Sequence, residues 1–329
     1  MTLDRVFLQY PKRRHGMDQD RYAWSMLADR APVQWPGGKP LAVWINLSLE
    51  HFPLNPKGEG FKPHGSMVMP YPDLRHYTLR DYGNRVGVFR VLDALREHAL
   101  QASLAVNGEL AERYPPLLRR LAATGFEFIG HGWNMDSVHH GGLDAAQECS
   151  YIERSLNALA TYAGSPIRGW LSPARSQSQR TPELLKAAGM DWCADWVNDE
   201  LPYAFHTAAG DLATMPLSLE LEDRFIVGEN LHAESEYADQ IIDACDFLLE
   251  EARRTGHGRL LSLSVHPWVM GQPHRIKHLQ RAFAHLAAHA DAIWNAAPSE
   301  ILAAAAPASE PPQGRGQAAP DPTLPAQEA

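Results

Sequence analysis

Leu41-Ala-Val-Trp-Ile-Asn-Leu-Ser48 is an almost unbroken apolar run that begins just after Gly37-Gly38 and ends against Glu50-His51. A run of that length without alternation is what a strand buried on both faces carries, and such strands belong to parallel sheets covered by helices. The pattern repeats downstream. Residues 84–100 recur at helical period, with Val88, Val91, Leu92 and Leu95 on one face. Strands are expected over 102–106, 126–130, 167–171, 212–216, 260–265 and 292–295, with helices over 109–123, 143–162, 181–188, 236–254 and 275–289 between them. Thr181-Pro182-Glu183 reads as a helix start, threonine as cap and proline at the first helical position. Gly125, Gly164 and Gly189 each stand where a helix pattern gives way to a strand, the place where glycine turns the chain back. About seven strand–helix units of this kind predict a closed or nearly closed α/β barrel, with an open doubly wound sheet as the alternative.

Composition narrows the rest. The chain has 329 residues, of which 45% are hydrophobic and 21% charged, as in an ordinary globular protein. Its 30 basic and 39 acidic side chains give a net charge of −9, which argues against nucleic acid and anionic membrane as partners. A small-molecule substrate is expected instead. Cys149, Cys193 and Cys245 lie 44 and 52 residues apart and form no CxxC pair, so they read as buried small apolar residues of a reducing compartment. The start of the chain lacks the apolar core of a secretion signal, and no run is long enough to span a bilayer, so a cytoplasmic protein is expected. Residues 1–35 read as an N-terminal extension, 36–306 as one domain, and 307–329, with six prolines, as a disordered tail. No GxGxxG, GxxxxGK[ST] or GxSxG motif points to dinucleotide, P-loop or serine-hydrolase chemistry.

The unusual polar residues fall just after expected strands: Glu50-His51, His131, Ser172-Pro173-Ala174-Arg175 and His266. In an α/β barrel such positions converge on one rim, where active sites sit. Taken alone, each is more often a solvated or structural residue; four in one chain predict a shared site.

In order along the chain, Glu50, His131-Gly-Trp-Asn134, Gly169-Trp-Leu-Ser-Pro-Ala-Arg175, Asp195-Trp-Val-Asn-Asp-Glu-Leu-Pro-Tyr203 and Leu263-Ser-Val-His266-Pro resemble the successive motifs of the polysaccharide deacetylase-like (NodB-homology) superfamily. Gly87-Val-Phe-Arg-Val-Leu-Asp93 and Gly271-Gln-Pro-His-Arg-Ile276 place the resemblance closest to its branch of PuuE-type allantoinases and cyclic imide hydrolases. The resemblance implies a distorted (β/α)7 barrel, hydrolysis of a non-peptide C–N bond and a homo-oligomer. Two departures matter. The Asp-Asp pair of the deacetylases is Leu49-Glu50 here, and the second histidine of their His-x-x-x-His is Met135, a poor ligand for a hard or borderline metal ion.

The implied metal triad is therefore broken, as in the allantoinase-like branch, where catalysis needs no metal. No cofactor is expected; the alternative is a divalent ion such as zinc on Glu50 and His131 with Asp136, His139 or His140. Amide hydrolysis needs an activated water, a stabilised oxyanion and a proton for the departing nitrogen. Glu50 is the candidate base, or a metal ligand, and His266 the candidate acid, with a side-chain pKa near its ordinary 6.5. Arg175 orients a carboxylate or a substrate oxygen, or else forms a structural pair with Asp195 or Asp199, and His131 contacts substrate or holds Glu50. Trp133, Trp268 and Asp199 are candidate substrate-binding residues, while Trp170, Phe247 and Leu248 read as core. The leading reading is a hydrolase of a small cyclic amide, imide or ureide; the rivals are a metal-dependent deacetylase of an N-acetylated sugar and an inactive ligand-binding barrel.

Overall fold

All nine residues of strand β1 (Leu41–Leu49) are buried, as the opening run predicts. Strand β8 (Arg259–Val265) pairs with one edge of β1 from Leu41 to Leu47. The other edge is shared by β9 (Ile293–Asn295) at Leu41–Val43 and β2 (Ser103–Val106) at Asn46–Leu49. From β2 the sheet continues in parallel through β3 (Glu127–Gly130), β4 (Gly169–Trp170), β5 (Trp192–Cys193) and β7 (Gly210–Thr214). It ends on β6 (Tyr203–Thr207), which is antiparallel to β7. This computed structural model describes residues 19–56, 72 and 74–305; the expected tail 307–329 lies outside them.

The sheet curls into a distorted barrel that its backbone does not close, with β6 and β8 as free ends among the described residues. A hydrogen bond bridges the seam between the exit of β7 and β8. Ser218 N donates to Ser262 Oγ at 2.9 Å, while Arg175, just beyond β4, donates through Nη1 to the Leu217 carbonyl at 2.9 Å and so holds the β7 exit from its own side of the seam.

Alternation along the strands decides what faces where. From β1, Leu41, Val43, Ile45, Leu47 and Leu49 point outward into a core shared with helices α2 (Val88–Glu97), α7 (Glu234–Thr255) and α9 (Ile276–Ala288). Ala42 and Trp44 point inward, and the inward row then turns polar: Asn46, Ser48, Glu50. β8 does the same, with Leu260 inward at the base and Ser262, Ser264 and His266 above it. Helix α10 (Pro298–Ala304) packs its buried Ile301 into the apolar base beside Trp35.

Several expectations are corrected. The helix over 109–123 is two, α3 (Gly108–Arg113) and α4 (Pro115–Ala122), because Pro115 has no N–H to continue the ladder. The helix over 84–100 opens with a π-turn, Gly83–Gly87, preceded by an unforeseen α1 (Leu74–Tyr82). Thr181 does not cap α6 (Thr181–Ala187); its hydroxyl donates to Glu148, buried on α5 (Ala145–Ala160). The inward stripe of α7 is Ile241, Cys245, Leu248, Leu249 and Ala252, which leaves Phe247 61% exposed rather than in the core. Cys193 and Cys245 are buried, but Cys149 is only half-buried, its thiol against Glu153. Among the described residues no helix is long and apolar enough to cross a membrane.

Candidate active site

The polar tops of the inward rows meet. Glu50 and His266 are the last inward residues of neighbouring strands, and His131 extends the inward row of Ile129 on β3. With Ser48, Ser264 and Met135 they line a cavity of about 150 Å³ at the C-terminal ends of the strands. Phe52, Arg80, Arg175, Glu222 and Arg224 complete much of the wall.

Glu50 Oε1 lies 3.6 Å from His266 Nε2 and 3.9 Å from His131 Nε2. Its Oε2 accepts from Trp268 Nε1 at 3.0 Å, and its carbonyl accepts from Asn84 Nδ2 at 2.8 Å. Burial pushes the carboxyl up, but the charge of His266 and the closeness of both imidazoles outweigh it and hold Glu50 well below the usual carboxylate range. Glu50 is therefore ionised throughout the neutral range.

His266 is fixed from behind. Asp223 Oδ1 lies 2.6 Å from His266 Nδ1, and Asp223 Oδ2 accepts from the His266 backbone N–H at 2.7 Å. Burial disfavours the imidazolium, yet the carboxylates of Asp223 and Glu50 override it and raise His266 to about 10. The expectation of an ordinary histidine pKa is corrected: the ring carries both protons at neutral pH. Its Nε2 also faces Glu222 Oε1 at 4.0 Å, so the imidazolium sits among three carboxylates.

His131 Nδ1 lies 2.7 Å from the Leu171 carbonyl, which only accepts, so the proton is on Nδ1. Its Nε2, buried and without a hydrogen-bond partner among the described residues, is the atom that faces Glu50. The Asn107 amide holds the His131 carbonyl with one arm and the His51 N–H with the other, tying the ends of β1, β2 and β3 together.

Arg175 reaches the wall, but both its terminal nitrogens are taken. It bonds the carbonyls of Ala194, Leu217 and Ser218, and meets Glu222 Oε2 at 3.0 Å. Its acidic partner is thus Glu222, not Asp195 or Asp199. Asp195 holds Ser172 N and Oγ, each at 2.7 Å, and Asp199 pairs with Arg30. Asp199 therefore lies away from the cavity, and so does Trp133, whose ring is covered by the Arg154 guanidinium at 3.6 Å. Trp268 is at the site as the donor to Glu50, and Trp170 is core.

Arg80, Glu222, Asp223 and Arg224 were not foreseen. The acidic pair Glu222-Asp223, set between apolar Leu221 and the Phe225-Ile-Val227 run, was its only signal, and it lies eight residues beyond β7 rather than at its end. Arg80 is buried between two rings, 4.6 Å from Phe52 and 4.1 Å from Trp268. Burial lowers its pKa to about 10, Glu50 opposing and Arg224 adding to the fall.

The donor set does not fit the three-ligand metal site that the resemblance implies. Met135 occupies the wall beside His131, and Asp136 and His140 line a neighbouring groove instead. His139 is fully buried, with Nδ1 3.3 Å from Glu148 and its ring edge-on to Trp170. Glu50, His131 and His266 do not bring three ligating atoms within 4.8 Å of one another.

Residues 77–193 match the polysaccharide deacetylase family model. The motifs noted in the sequence resemble this same superfamily, and the family comprises hydrolases of carbon–nitrogen bonds, the enzyme class expected. A putative polysaccharide deacetylase of Schizosaccharomyces pombe is 24% identical over 296 residues, covering 82% of this chain and 91% of the relative. A probable polysaccharide deacetylase from Pseudomonas aeruginosa PAO1 superposes with a TM-score of 0.72 at 24% identity, over 82% of this chain and 92% of its own. PuuE allantoinase superposes equally well, with a TM-score of 0.72 at 23% identity over 82% and 91%. These structures share the fold.

Proposed function

We propose that this protein opens a small cyclic amide, imide or ureide by general acid–base hydrolysis, with Glu50 as base and His266 as acid. The observation that carries the reading is the pair itself: an ionised carboxylate and an imidazolium 3.6 Å apart in a small cavity whose donors do not make a metal triad. Glu50 takes a proton from a water as its oxygen attacks the ring carbonyl, and Arg80 lends positive charge to the oxyanion. His266 Nε2 then gives its proton to the ring nitrogen as the C–N bond breaks. The product acid ionises on release. Protonated Glu50 returns its proton to neutral His266 across the same gap, which resets both groups.

The deacetylase reading keeps one specific support, the family match over residues 77–193. Both are tested by assaying metal-stripped protein against cyclic ureides, cyclic imides and N-acetylated sugars. Turnover of a cyclic substrate that persists in chelator is the expected result. Turnover of acetylated sugars alone, or of any substrate only after a divalent ion is restored, overturns it.

A further inference from the structure

Helices α7 and α9 lie side by side on the outside of the barrel, and one point of their contact has no part in the cavity. There Cys245 and Asp246 of α7 and His285 of α9 place a thiol sulfur, a carboxylate oxygen and a ring nitrogen all within 4.8 Å of one another. His285 Nε2 is 2.7 Å from Asp246 Oδ1. His289 stands one helical turn beyond His285, its ring centroid 4.6 Å away and its Nδ1 3.0 Å from the His285 carbonyl.

We propose that Cys245, Asp246 and His285 form a zinc-binding site, with water completing the fourth position. The donor chemistry selects the ion. Sulfur and imidazole nitrogen suit zinc, whereas magnesium and calcium require oxygen cages. Two ligands come from α7 and one from α9, while His289, whose Nδ1 donates to the His285 carbonyl, stands beside the three without joining them. Access is graded: Cys245 is fully buried, His285 has 23% of its side chain exposed and Asp246 54%, so an ion enters from solvent and meets the thiol last. Binding replaces the S–H bond with a zinc–sulfur bond and releases that proton to water; zinc is neither oxidised nor reduced. The site would staple α7 to α9, two helices that lie downstream of Asp223 and His266, respectively, in the chain.

The test is a titration of the full-length, metal-stripped chain with Co²⁺, the spectroscopic substitute for zinc, followed by displacement with Zn²⁺. One equivalent of Co²⁺ should give tetrahedral d–d bands and a thiolate-to-metal charge-transfer band, both abolished by Zn²⁺. Cys245→Ser should remove the charge-transfer band. His285→Ala, a change at the surface that leaves the core intact, should weaken binding by more than about 100-fold, beyond what losing a mere support to a ligand costs. Glu50→Gln should leave the titration unchanged, which separates this site from the cavity. No Co²⁺ uptake, a charge-transfer band that survives Cys245→Ser, or wild-type affinity in His285→Ala overturns the proposal.

Discussion

Asp223 is the residue that decides how the Glu50–His266 pair works, since it grips the ring Nδ1 and the backbone N–H of His266 and keeps the ring cationic. Two outcomes follow at this scale. Glu50→Gln keeps shape and removes the proton acceptor, so kcat should fall about 10²–10⁴-fold, or roughly 3–5 kcal/mol, with little change in KM. The kcat/KM profile should hold its plateau well above neutrality, its alkaline limb lying near the raised His266 value of about 10. Asp223→Asn removes the charge that raises His266 while burial still disfavours the imidazolium, so the alkaline limb should move down by units of pH. An unmoved limb would separate His266 from the acid role. Glu50, His131 and His266 were legible in the sequence because inward strand rows end on them. Glu222 and Asp223 were not, because they enter from a loop whose return to the rim no local pattern reveals.

Element contacts explain two sequence segments that looked like bare motifs. A Cβ on Gly87 would meet the Pro267 carbonyl oxygen at 2.1 Å, and one on Gly271 would meet Gly87 Cα at 2.4 Å. The π-turn Gly83–Gly87 therefore lies directly on α8 (Pro267–Met270), which carries Trp268 to Glu50. Gly87→Ala should destabilise the protein by about 1–3 kcal/mol, at the upper end because the obstacle is backbone, and should lower kcat by displacing Trp268. Gly228→Ala is the control: nothing lies within 4 Å of its added methyl, and the denaturation midpoint should not fall. Equal midpoints for the two variants would remove the packing argument. Helices and strands with strong periodicity were readable within a few residues, as β1 and β8 are. The break at Pro115 was also readable from proline chemistry, but periodicity on both sides of it concealed the stop. The β6–β7 hairpin was missed because β6, with only Phe205 fully buried, carries little apolar signal.

At the scale of the whole molecule, the barrel was legible as a succession of strand–helix units, but its open seam was not. Where a regular barrel would close with one more backbone ladder, this one has the Ser218–Ser262 tie, and the β7 exit that makes it is held by Arg175, set in a turn where Ala174 and Arg175 take positive φ values of 54° and 53°. From that turn the guanidinium spans to the Leu217 and Ser218 carbonyls and to Glu222, whose side chain is only 4% exposed. Strand-end position and permanent charge made Arg175 a site candidate; the geometry makes it a brace on the β7 exit beside the seam. The two roles predict different measurements. Arg175→Met would take a hydrogen bond from each of the Ala194, Leu217 and Ser218 carbonyls and half of the cation support from the buried Glu222 carboxylate. Breaking buried pairs of this kind costs about 3–5 kcal/mol, and the remaining Arg224–Glu222 contact at 2.8 Å argues for the lower figure. The brace therefore predicts a large fall in the denaturation midpoint, with kcat lowered through a misplaced Glu222 and KM for a neutral substrate nearly unchanged. Ser262→Ala, which removes the Ser218 tie across the seam, should cost a smaller 0.5–1.5 kcal/mol, roughly one ordinary hydrogen bond, and leave KM alone. A direct substrate contact predicts the opposite for Arg175→Met: near-normal stability and a raised KM. That outcome would return Arg175 to the substrate and leave the seam to Ser218 and Ser262.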